Sequence, residues 1–302
     1  MSSSLVRQPN LDALALFVSV SQEGSVGGAA RRWQISQSAA SQKLTTLEKD
    51  LGVTLLDRRP SGSALTAAGQ VVLEWADPLV RAGSQFQGNV AALANDHPVQ
   101  MSVAASLTVA EYLMPLWLRT LRERLPEVAV SLLPGNSAAV TELVRSGKVE
   151  LGFIEGPLAP PGLRSVQVRS DELLLVVAPT HPWATRKHGV DVAELVTGEL
   201  ILREPASGTR QVLETALEQQ GIHLRPAMEL GSTTALKTAV AEGIGASVLS
   251  RLSVQREVDD GVLVAIALPG VDLTRSIRAI WLGSKRPVGS AGALLAISRR
   301  AG

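Results

Sequence analysis

Few side chains in this sequence are equipped for covalent or metal chemistry. Cysteine is absent, which removes disulfides, thiolate nucleophiles, iron–sulfur clusters and cysteine-based zinc sites together. The histidines His97, His181, His188 and His223 are scattered, with no H-E-x-x-H pair, so no metal site is expected. There is no G-x-S-x-G elbow and no P-loop, and Gly243-Ile244-Gly245 runs on into Ala246-Ser247-Val248 rather than completing a dinucleotide fingerprint. A nucleophile–base pair therefore lacks material. We expect no catalytic residues, no enzymatic activity and no cofactor.

What remains is hydrogen-bonding chemistry in two places. The first is a segment beginning at Ser36, where Ala40, Leu44, Leu47 and Leu51 recur on one helical face. The opposite face carries Ser38, Ser41, Gln42, Thr45 and Lys49. Short hydroxyls allow close approach to a duplex, Gln42 can bond an adenine bidentately, and Lys49 can pair a phosphate. An ordinary solvated face would carry more Glu and Lys; in the segment from Ser36 no Glu comes before Glu48. The second place is a set of hydroxyl-rich turns at strand ends: Ser106-Leu107-Thr108, Asn136-Ser137, Ser207-Gly208-Thr209 and Ser232-Thr233-Thr234. Each can simply cap a helix. Together, beyond the carboxyl ends of strands, they can bind an anion, and Arg203 and Arg210 flank the third turn.

These residues need elements to position them. A helix over 11–22, a second capped by Ser25 and bearing Ala29, Ala30 and Trp33, and a third from Ser36 to about Asp50 make a helix-turn-helix. Segments 53–56 and 64–65 flank the turn Arg59-Pro60-Ser61-Gly62-Ser63, a small β-hairpin. A long helix follows over 66–94. Its apolar positions Val72, Trp75, Leu79, Ala82, Phe86, Val90 and Leu93 form a near-heptad seam suited to pairing with a second copy. Pro78 should kink it or mark a join. Asn95-Asp96-His97-Pro98 reads as a linker. Beyond it, strands (99–105, 128–133, 151–154, 173–178, 200–202, 228–230) alternate with helices (110–125, 138–146, 208–220, 233–242), which predicts parallel α/β sheets in two small lobes.

Composition sets the bounds. The 302 residues are 45% hydrophobic and 19% charged, as in a globular protein of about two domains. Only nine residues are aromatic, too few for modules that stack single-stranded bases. No apolar run approaches the roughly 18 residues of a membrane span, and the N-terminal stretch reads as an amphipathic helix rather than a signal peptide, so a cytoplasmic protein without a membrane partner is expected. Net charge is +1. Between Arg31 and Arg59 six basic residues (Arg31, Arg32, Lys43, Lys49, Arg58, Arg59) face three acidic ones (Glu48, Asp50, Asp57). One copy would bind DNA weakly on charge alone, so at least a dimer is needed.

The N-terminal pattern resembles the LysR-type transcriptional regulators. It runs Leu11…Phe17, Gly24-Ser25, Ala29-Ala30, Ser36-Gln37-Ser38-Ala39-Ala40-Ser41, Leu47-Glu48, Leu51-Gly52, Leu55-Leu56-Asp57-Arg58 and Leu65-Thr66-Ala67-Ala68-Gly69, an order specific over about 60 residues. More loosely, 149–154 is similar to the strand before the family's effector pocket and 240–250 to its Gly-x-Gly segment. Ser38 stands where the family usually has proline and Leu56 where it has phenylalanine. Gly27-Gly28 is an unusual helix start that loosens the second helix.

The resemblance implies an N-terminal all-α winged helix-turn-helix over 1–65 and a linker and dimerisation helix over 66–96. It implies an α/β effector domain over 97–302, two-lobed like periplasmic binding proteins, with lobe I about 97–169 and 270–302 and lobe II about 170–269. DNA contacts are expected from Arg31, Ser36, Gln37, Ser38, Ser41, Gln42, Lys43, Thr45 and Lys49, with Arg58 as the wing arginine. Dimerisation is expected through Val72, Trp75, Leu79, Phe86, Val90 and Leu93. A small, anionic effector is expected at Ser106, Leu107, Thr108, Ser137, Ser207, Gly208 and Thr209. Implied partners are double-stranded DNA, the effector, a homodimer extending to a homotetramer, and RNA polymerase. The competing reading is a small-molecule binding protein whose N-terminal helices make protein contacts.

Overall fold

The computed structural model describes residues 8–59, 62–95 and 99–300. The chain divides into two compact units, 1–97 and 98–302.

In the first unit, α1 (Leu11–Glu23), α2 (Val26–Arg32) and α3 (Gln37–Leu51) are each capped by a side chain. Asn10, Ser25 and Ser36 accept from the backbone of Ala13, Gly28 and Ala39, satisfying donors that a helix start leaves free. Helices α1 and α3 end at Gly24 and Gly52, both left-handed. Leu14, Leu16, Phe17, Ala29, Ala40, Leu44, Leu47 and Leu55 form the buried core. Trp33 Nε1 donates to Ser19 Oγ at 2.8 Å, closing its rim. Gly28 is held tightly: a Cβ there would lie 3.0 Å from both Glu23 Cβ and Ser25 Oγ, whereas at Gly27 it would meet nothing nearer than 3.5 Å, so only the second glycine of the pair fits a crowded corner.

The wing is the hairpin of β1 (Leu56–Arg59) and β2 (Gly62–Leu65), paired antiparallel. The Glu48 carboxylate ties it to α3 by accepting from Leu55 N at 2.8 Å and Leu56 N at 3.1 Å. Helix α4 (Ala67–Asn95) starts where Thr66 Oγ1 accepts from Gly69 N. At Gly69 a Cβ would sit 2.1 Å from the Leu55 carbonyl oxygen, so only glycine lets α4 lie this close to the wing. The helix runs on through Pro78, and at 1.5 Å per residue its 29 residues span roughly 43 Å.

The second unit is built on a seven-stranded sheet. Strands β3 (Val99–Ser106), β4 (Val128–Gly135) and β5 (Leu151–Gly156) pair parallel, as expected. The rest corrects the expectation of parallel sheets. Strand β6 (Arg164–Val177) runs unbroken from one lobe into the other, where a separate strand over 173–178 was anticipated. Its first half pairs antiparallel with β11 (Thr274–Trp281), which inserts between β5 and β6. Its second half pairs antiparallel with β9 (Ser247–Ser250) and β10 (Val264–Ile266). Short strands β7 (Ile201–Leu202) and β8 (Met228–Glu229) pair parallel. The polar first half of β6 and the Arg-rich β11 lack the apolar run by which the other strands announce themselves, so both escaped a reading based on hydrophobic texture.

The helices are α5 (Met114–Arg124), α6 (Ser137–Arg145), α7 (Val192–Thr197), α8 (Gly208–Glu218), α9 (Thr233–Ala241), α10 (Arg251–Asp259) and α11 (Gly289–Arg300). The expected helix over 110–125 opens as a π-helical turn, Val109–Leu113, before α5 begins. One lobe centres on Val103, Phe153, Val168, Ile277 and Leu294, the other on Leu173, Leu175, Leu213, Val248 and Leu273. The chain thus crosses between lobes within β6 and just before β11. Leu173 N donates to the Leu273 carbonyl at 3.0 Å beside that crossing.

Candidate functional site

Helix α3 buries Ala40, Leu44 and Leu47 and leaves Gln37, Ser38, Gln42, Lys43, Thr45 and Lys49 exposed. Ser41 is half-buried, at the edge of that surface, and Arg31 is exposed in the last turn of α2. Ser36 is committed to capping, and its hydroxyl lies 2.9 Å from that of Ser38. The face offers two amides, short hydroxyls and two ammonium groups, a chemistry suited to base edges and flanking phosphates. The side chain of Arg58 lies outside the described residues.

Helix α4 exposes large apolar side chains. Trp75 is 70% and Phe86 69% exposed, with Leu79 and Val90 also in the open. They fall within about 60° of arc. Val72 is the exception, half-buried against the core of its own unit. The side chain of Leu93 and residues 96–98 lie outside the described part.

In the second unit the hydroxyl turns converge, though not as free donors. Ser106 Oγ and Thr108 Oγ1 both donate to the Glu155 carboxylate, the latter at 3.1 Å. Ser137 Oγ donates to the Glu155 carbonyl at 2.7 Å. Ser207 caps α8 in position without a side-chain bond, and Thr209 is buried. A Cβ at Gly208 would lie 1.9 Å from the Glu155 carbonyl oxygen and 2.6 Å from Ser137 Oγ, so α8 of one lobe rests directly on β5 and α6 of the other. Leu107 is half-buried.

At the centre is Arg275, fully buried. Its guanidinium donates to Thr209 Oγ1 at 3.0 Å, to Thr108 Oγ1 at 3.3 Å and to Asp171 at 2.8 Å, and lies 3.6 Å from the Glu155 carboxylate. Asp171 also accepts from Ser250 Oγ at 2.7 Å. Burial pushes Glu155 above the usual carboxylate range, which Arg275 and the Thr108 hydroxyl only partly offset. Arg203 and Arg210, expected to supply charge, are already paired, with Glu204 and with Glu214 and Glu229 respectively.

Sequence reasoning thus found the hydroxyls and missed Glu155, Asp171 and Arg275. The signal existed. Arg275 is in phase with buried Ile277 and Ala279, and Asp171 with Leu173 and Leu175; a charge on the inward face of a strand requires a partner.

Among the described residues no cluster of His, Cys, Asp or Glu could hold a metal ion, and no helix is long and apolar enough to cross a membrane. Two family models match the chain: the bacterial regulatory helix-turn-helix protein of the lysR family over residues 11–70, and the LysR substrate binding domain over residues 99–302. The uncharacterized HTH-type transcriptional regulator Rv2282c of Mycobacterium tuberculosis is 39% identical over 292 residues, covering 93% of each chain. The uncharacterized regulator YeiE of Escherichia coli K12 is 33% identical, covering 90% of this chain and 89% of its own. Full-length CbnR, solved in complex with its target DNA, is 25% identical with a TM-score of 0.65, covering 97% of this chain and all of that one. The chain belongs to the LysR family: it is a DNA-binding transcriptional regulator carrying an effector-binding domain.

Proposed function

We propose that this regulator is a cytoplasmic homodimer, without catalytic activity, that reads duplex DNA through α3 and is set by a small anionic effector held between the lobes. Ser38, Ser41, Gln42 and Thr45 read base edges, Gln37 and Ser36 lie at the helix start, and Arg31, Lys43, Lys49 and Arg58 meet phosphate. Trp75, Leu79, Phe86 and Val90 pair the long helices, with Val72 and Leu93 at the ends of the seam. Tetramer assembly and contact with RNA polymerase rest on family membership alone.

The effector reading is carried by one observation. A single buried guanidinium, Arg275, is bonded at once to Thr108 of one lobe and Thr209 of the other. Hydroxyls and a cation converging in this way suit a compact oxyanion, with Ser106, Leu107, Ser137, Ser207 and Gly208 completing the walls. Regulation requires the effector to bind one lobe arrangement more tightly than another.

A calorimetric screen of the full chain against small anions and neutral analogues tests this. Anions should bind, and Thr108→Val with Thr209→Val should weaken them by roughly tenfold or more. Binding of neutral ligands alone, unchanged in the double variant, would instead point to an apolar pocket.

A further inference from the structure

The carboxylate of Glu155 sits where the anionic group of an effector has to go. Both hydroxyls of the first turn, Ser106 and Thr108, donate to it, and Arg275 lies 3.6 Å away. The residue is buried. Its backbone is pinned from two sides, by the Ser137 hydroxyl on its carbonyl and by Gly208 packed against the same oxygen. Only its side-chain torsions are therefore free to move the carboxylate. Asp171, by contrast, is bonded to the Nε of Arg275 and held by Ser250.

We propose that Glu155 is a built-in occupant of the anion seat, and that an oxyanion effector binds by displacing its carboxylate from Ser106 and Thr108 and taking over Arg275. The inference rests on the effector reading given above and adds its mode of control. With the seat filled internally, Ser106, Thr108 and Arg275 all have partners in the ligand-free cleft, so the lobes can meet without an effector. A neutral ligand gains too little to break charge-assisted bonds; an oxyanion replaces them in kind.

Two carboxylate-like charges beside one guanidinium repel, so exchange is easiest when Glu155 takes up a proton. The charged groups facing it are Arg275 from β11, Asp171 from β6 and Arg203 after β7. Burial already raises its pKa, which brings protonation closer to neutral pH. Neutral Glu155 releases the two hydroxyls as donors and can itself donate to the incoming oxyanion.

The test uses the full chain, with formate, sulfate and inorganic phosphate as probes and thermal stabilisation as the readout. Glu155→Ala empties the seat, so formate and phosphate should stabilise it at roughly tenfold lower concentration than the parent chain. Glu155→Gln keeps the shape without the charge and carries the test should the alanine variant not fold. It should bind sulfate roughly tenfold more tightly than the parent at about pH 8 and gain nothing on acidification to about pH 6, whereas the parent should gain. Equal anion responses in parent and variants, or none in either variant, would overturn the proposal. Thr108→Val in the Glu155→Gln background separates the two readings. If it abolishes anion binding that was equal in parent and Glu155→Gln, the seat is right and self-occupancy wrong. If anion binding ignores Thr108→Val altogether, the seat itself is misplaced.

Discussion

Gln42 and Arg275 illustrate two ways a single side chain can matter. The Gln42 side chain is exposed, and the bond the residue accepts from Thr46 Oγ1 is to its backbone carbonyl, so Gln42→Ala should leave stability unchanged. It should weaken binding at the cognate site by about 1–3 kcal/mol and hardly affect random DNA. Equal losses on both DNAs, in a salt-matched titration, would rule out base reading by this residue. Arg275 is the opposite case. Its removal leaves Asp171 and Glu155 as buried carboxylates without their cation, and breaking such an arrangement from one side is far more damaging than never having had it. Arg275→Met should destabilise the second unit by about 3–5 kcal/mol, read from denaturant unfolding. A change under 1 kcal/mol, at the order expected of an exposed pair, would mean that the cluster is wetter than its burial implies.

Among the elements, α4 makes the sharpest claim. Its exposed Trp75, Leu79, Phe86 and Val90 form an apolar stripe too large for solvent to be its natural neighbour. Placing a charge in a paired apolar seam is costly, so Phe86→Asp should turn a dimer into a monomer in light scattering at micromolar concentration. A parent chain that is already monomeric would remove the stripe's role. The helices of the first unit were legible from sequence because capping residues and helical apolar spacing coincide there: Ser36 and Gly52 bracket Ala40, Leu44 and Leu47. Strands β6 and β11 were not, because their inward faces mix Val168, Ile277 and Ala279 with Asp171 and Arg275. The same ion cluster that makes the cleft therefore hid the strands that carry it. The hydroxyl turns were visible as helix caps, but that Ser106 and Thr108 already hold Glu155 depends on residues about 50 positions apart meeting in space, which no local pattern encodes.

For the molecule as a whole, carboxylates in the second unit pull stability in opposite directions with pH. Glu155 has a native pKa above its unfolded value, so its contribution is full at low pH and lost as pH rises through the native value. Burial also pushes Glu204 and Glu257 up, but the hydrogen bonds and charges of Arg203 and Lys237 outweigh it and leave both below the usual range. Their contributions are present above the unfolded pKa and fade as pH falls through the native ones. Melting temperature should therefore decline on acidification in both the parent chain and Glu155→Gln. On alkalinisation from the carboxylate range toward neutrality, the parent should lose stability relative to Glu155→Gln. Parallel profiles across that range would contradict the raised pKa.

Because β11 lies between β5 and β6 yet comes last of all the strands, the effector domain has a built-in order of manufacture. The lobe formed by 173–273 is contiguous and can close as soon as it leaves the ribosome. Its neighbour waits with a gap in the middle of its sheet until residues 274–300 arrive, although β3, β4 and β5 were synthesised first. During that interval the edges of β5 and of the first half of β6 lack the strand that pairs with both, a period of exposure to chaperones and proteases. A chain stopped before Thr274 should thus yield a protease-resistant contiguous lobe and a digestible remainder of its partner. Resistance of both lobes in such a chain would show that the sheet tolerates its missing central strand.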